Sequence, residues 1–101
     1  MSRQDRIDEA AQFLGLAAGH LAAWGVQWKE VGLYDGLFRE AMAGPRLNDQ
    51  EWQSLRMQAI RRAEQYLRKS VRDLKIEADA YDAYISLAIA EIDRVVGEYR
   101  L

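Results

Sequence analysis

From Arg46 to Val96 the chain contains neither glycine nor proline, and no other feature restricts its fold as strongly. Within that stretch Leu67, Val71, Leu74, Ala78, Tyr81, Ile85, Ala88, Ile92, Val95 and Tyr99 follow one another at alternating steps of four and three. Such spacing places one apolar seam along a helix and allows that seam to pack on other helices. Extended backwards, the register takes in Ile60 and Met57 but also Glu64 and Gln53, so the seam is less clean at its start.

A helical wheel shows the seam to be uneven. Trp52, Ala59, Ala63, Tyr66 and Ser70 widen it on one side, whereas Ile89 and Val96 widen it on the other. The changeover falls between Asp73 and Asp82, where Ser70 to Asp73 or Asp79 to Asp82 could also start a helix. The C-terminal half is therefore either one long amphipathic helix or a helix pair joined by a tight turn. An unbroken helix of about fifty residues would be about 75 Å long, too long for a compact monomer, and would call for a homodimer.

The N-terminal half reads as helical too. Ser2 with Asp5 three residues on resembles a capping box, and Ile7, Leu14, Leu21 and Trp28, followed by Ala10, Ala17, Trp24 and Val31, form an apolar face. Ala11, Gly15, Ala18 and Ala22 make a second, smooth line on which another backbone can come close. A bend is expected between Gly25 and Gly32. A shorter helix then carries Val31, Tyr34, Leu37, Phe38, Ala41 and Met42 until Gly44-Pro45 stops it, and Asn48 with Glu51 caps the next. The expected fold is all-α: a single domain over residues 1–101, built as a small bundle of three to four helices.

Composition sets function classes aside. Half of the 101 residues are apolar and 30% are charged, a globular balance. The absence of cysteine removes disulfides, thiolate metal sites and a cysteine nucleophile. Ala10 to Trp28 carries no formal charge and nearly reaches bilayer length, but Gln12, His20, Gln27 and three glycines make it a core helix instead of a membrane span. The mixed charges from Arg3 to Glu9 do not resemble a secretory signal, and a cytoplasmic location is expected.

Charge is unevenly placed. Residues 56–75 carry Arg56, Arg61, Arg62, Arg68, Lys69, Arg72 and Lys75 against Glu64 and Asp73 alone, whereas residues 76–101 carry six acids against Arg94 and Arg100. Arg61, Arg62, Arg68, Lys69, Arg72 and Lys75 share the side of the helix opposite the seam. A basic stripe of this kind can contact nucleic-acid phosphates, or it can meet water, an acidic segment of the same chain or an acidic partner. The overall charge of −2 favours the second group of readings. A helix-turn-helix fits poorly, because the cations begin about two turns into the helix after Gly44-Pro45.

Catalytic raw material is sparse. His20 is the only histidine and has no acid three or four residues away, which makes it a core-boundary residue and not a ligand. Carboxylate pairs such as Asp73 with Glu77, or Asp79 with Asp82, read as surface groups, and no glycine-rich phosphate loop accompanies them. No catalytic, cofactor or metal residue is assigned.

The expected function is therefore that of a non-enzymatic protein–protein interaction module, homodimeric, acting as a regulator, inhibitor or adaptor. Its candidate partner-binding residues are Trp52, Arg61, Arg62, Tyr66, Arg68, Lys69, Arg72 and Tyr84, where aromatic edges of the apolar arc adjoin the basic stripe. The alternative is a nucleic-acid-associated protein that uses the stripe of residues 56–75.

Overall fold

A computed structural model describes residues 2–25, 29–74 and 80–100, with the backbone alone at 29–31, 71, 73 and 74. Four helices follow in chain order: α1 (Arg3–Trp24), α2 (Lys29–Met42), α3 (Asp49–Leu74) and α4 (Tyr81–Arg100). Among the described residues there is no strand.

The caps are local chemistry. Ser2 Oγ accepts the Asp5 N–H at 3.1 Å while Asp5 Oδ2 accepts the Ser2 N–H, so α1 begins with the expected capping box. Asn48 and Glu51 repeat the exchange at the start of α3, at 2.8 and 2.9 Å. Gly25 closes α1 in the left-handed region, φ 67°, with its N–H on the Leu21 carbonyl. The bend thus falls at the first residue of the expected interval, and Gly32 lies inside α2. Trp28 lies outside the described residues, as does the side chain of Val31.

The long C-terminal pattern is two helices, α3 ending at Leu74 and α4 starting at Tyr81. This corrects the single-helix alternative: the chain extends only 41 Å in its longest direction, which leaves no room for a 75 Å rod. Lys75, Glu77, Ala78 and Asp79 lie outside the described residues. The swing of the apolar arc now has a cause. In α3 the side bearing Ala59, Ala63 and Ser70 is buried, and α1 runs past Ala59 and Tyr66 there. In α4 Ile92, Val95 and Val96 are buried.

Helix α1 is the axis of the molecule. It packs on α2, α3 and α4, and α3 packs on α4, whereas α2 is attached chiefly to α1. The smooth line on α1 makes this possible. A Cβ at Gly15 would come within 2.5 Å of the Ala59 carbonyl oxygen, and one at Gly19 within 2.7 Å of the Tyr66 ring. One end of the bundle is tied by cations. Arg6 donates to the carbonyls of Ala41 and Pro45 at 2.8 and 2.9 Å, satisfying the end of α2 and the turn beyond it. Arg3 pairs with Glu51 and donates to the Arg46 carbonyl, and Arg100 pairs with Asp49.

Candidate functional site

The attachment of α2 to one side of α1 leaves a groove between α2 and α3, floored by the outer face of α1. Its volume is about 720 Å³. Leu16 and His20 of α1 lie at the bottom, with Tyr66 of α3 beside them and Tyr34 of α2 opposite. The His20 ring stacks on Tyr66, centroids 4.2 Å apart and planes 19° from parallel, and meets Tyr34 at 5.4 Å in a tilted contact. Three helices thus meet in one aromatic cluster.

Hydrogen bonds hold the cluster in place. His20 Nδ1 lies 2.8 Å from the Leu16 carbonyl oxygen. A carbonyl cannot donate, so Nδ1 carries the proton and, in the neutral ring, Nε2 keeps its lone pair. The Tyr66 hydroxyl accepts the Trp24 indole N–H at 2.9 Å. Ser70, buried on the next turn of α3, donates to the Tyr66 carbonyl at 2.9 Å.

The α3 wall of the groove is cationic. Arg62, Lys69 and Arg72 line it, and among the described residues no acidic side chain does. Arg62 Nη1 donates to Gln65 Oε1 at 3.1 Å, but its Nε is buried and has no acceptor. An unmatched N–H in that position costs about 1–3 kcal/mol.

The predicted residues separate. Arg62, Tyr66, Lys69 and Arg72 come together in the groove. Arg61 faces a second depression, lined also by Asp8 and Gln12 of α1 and by Arg62, which borders both. Arg68 points outward and pairs with Glu64 one turn back. Trp52 is 6% exposed and belongs to the core, so its side chain is not on the surface of this fold. Tyr84 is half-buried against the core on α4, away from the stripe. His20 and Tyr34 were not among the predicted partner-binding residues. Nothing in their own spacing marks them, because their neighbours come from other helices.

No family model, curated protein or solved structure matches the chain. Among the described residues no three histidine, aspartate or glutamate side chains gather in a metal-binding group, and no helix is long and apolar enough to cross a membrane.

Proposed function

We propose that this protein is a small non-enzymatic interaction module of the cytoplasm, a regulator, inhibitor or adaptor, that binds an acidic segment of a partner protein in the groove between α2 and α3. The observation that carries the reading is the pairing of an aromatic floor, His20 on Tyr66, with a wall carrying Arg62 and Lys69, on which no acid stands among the described residues. Carboxylates would pair with Arg62 and Lys69 at their exposed ends, while an apolar or aromatic side chain rests on the floor.

The nucleic-acid reading has less support from the geometry. A phosphate track needs contiguous cations, and here Arg68, in the middle of the stripe, is matched by Glu64. The homodimer remains part of the proposal, although its basis has changed. It rests on the exposed Leu33, Met57 and Leu87 and no longer on a shared long helix.

Fluorescence anisotropy with a labelled Glu-rich peptide containing one phenylalanine tests the site against a single-stranded oligonucleotide. The peptide should bind, and Arg62→Glu with Lys69→Glu should weaken it by about tenfold or more. Arg61→Glu with Arg68→Glu should leave it within about twofold, since rim charges chiefly alter the rate of encounter. Tight, steeply salt-dependent binding of the oligonucleotide, lost in the Arg61 and Arg68 pair, would replace this reading with the alternative.

A further inference from the structure

A second groove lies on the other side of α2, between α2 and α4, and the acidic-partner reading does not use it. Its volume is about 470 Å³, within the range of roughly 300–1,000 Å³ typical of small-molecule sites. The lining is apolar at depth: Leu14, Ala17 and Leu21 from α1, Phe38 from α2, and Val95 and Tyr99 from α4. The space exists because α1 places alanines at 17 and 18 between two leucines. Phe38 meets the Tyr99 ring edge-on at 5.1 Å, bridging α2 and α4 beside it.

The rim is charged, and its pairing decides what can enter. Arg39 pairs with Asp35 inside α2, and Arg94 pairs with both Glu91 and Glu98 inside α4. Two consequences follow. Three carboxylates share two guanidiniums, so among the described residues the mouth has surplus negative charge and no uncommitted cation. Moreover, each of these pairs is internal to its own helix, so the mouth can widen without breaking an ion pair.

We propose that this groove binds a small apolar amine, its hydrocarbon body against Leu14, Ala17, Phe38 and Tyr99 and its ammonium at the mouth beside Glu98 and Asp35. The apolar side chains of the mixed lining supply the burial, and the carboxylate surplus supplies the sign. A helix from a partner protein would need a trough along the whole bundle. This cavity is enclosed on three sides by α1, α2 and α4.

The test uses three probes sharing one ring system: 2-naphthylmethylamine, 2-naphthylmethanol and 2-naphthoate, each titrated by calorimetry into the full chain. The amine should bind, the alcohol should bind several-fold more weakly, and the carboxylate should give no saturable heat. Ala17→Leu fills the cavity and should abolish amine binding while circular dichroism and the melting temperature show an intact bundle. Glu98→Gln, on the surface, should bring the amine down to the level of the alcohol, whereas Arg62→Glu with Lys69→Glu should leave it unchanged. Equal binding of amine and carboxylate, undiminished binding by Ala17→Leu, or no amine binding to the wild type would each overturn the proposal. None of these outcomes bears on the α2–α3 groove.

Discussion

Two glycines on opposite sides of the bundle show what single residues contribute. Gly15 lets α1 approach the backbone of α3 and the Arg62 stem, and an alanine there would set its Cβ 2.5 Å from the Ala59 carbonyl oxygen. The gain in helix propensity, about 1 kcal/mol, is outweighed by an overpacking cost of about 1–3 kcal/mol. Gly97 is exposed, and a Cβ there would meet nothing within 4 Å. Gly97→Ala should therefore raise the melting temperature, whereas Gly15→Ala should lower it, by roughly 4–8 °C for each kcal/mol in a domain of this size. The same direction of change in both variants would mean that α1 and α3 are not packed as described.

Glu51 contributes a dependence on pH at the same scale. The Arg3 side chain, then the Asn48 backbone N–H, hold its carboxyl down from the ordinary 4.5 to about 2. A depressed folded-state value stabilises the fold above the unfolded value and loses that contribution as pH falls from about 4.5 towards 2. Urea midpoints across this window should drop less steeply in Glu51→Gln than in the wild type. Parallel curves would show that the clamp between the starts of α1 and α3 does not form.

At the scale of elements, α2 is the helix held least. Phe38 is its one buried side chain among the described residues, while Leu33, Asp35, Gly36, Arg39 and Glu40 face solvent. Hydrogen exchange should find α2 amides opening well before those of α3. Phe38→Ala should accelerate α2 further and leave the protection of α3 and α4 largely in place; uniform loss across all four helices would show α2 to be integral to the core. Helix ends were legible wherever local chemistry sets them, at Ser2 with Asp5, at Gly44-Pro45 and at Asn48 with Glu51. The end of α3 was not, because no glycine or proline marks it. The swing of the apolar arc near Asp73 and the candidate caps at Ser70 with Asp73 and Asp79 with Asp82 carried that information, and the Ile92 and Val95 side chains beyond it return to the core.

For the whole molecule, the opposite charges of the two C-terminal helices find part of their use inside the bundle, where Arg56 of α3 pairs with Asp93 of α4. The part of the stripe that lines the groove is narrower than the stripe in the sequence: its cations were legible, but which of them share a groove depends on α1 and α2. A homodimer formed through scattered side chains such as Leu33, Met57 and Leu87 should dissociate on dilution. Light scattering should then show a mass that rises with concentration and falls in Leu87→Glu; a mass fixed at one chain would remove the dimer. The most direct measurement of the central claim is a set of amide and side-chain NMR spectra recorded while the Glu-rich peptide is added. Shifts confined to Leu16, His20, Tyr34, Arg62, Tyr66 and Lys69 are predicted. Shifts centred on Arg61 and Arg68, or on the outer face of α4, would contradict it.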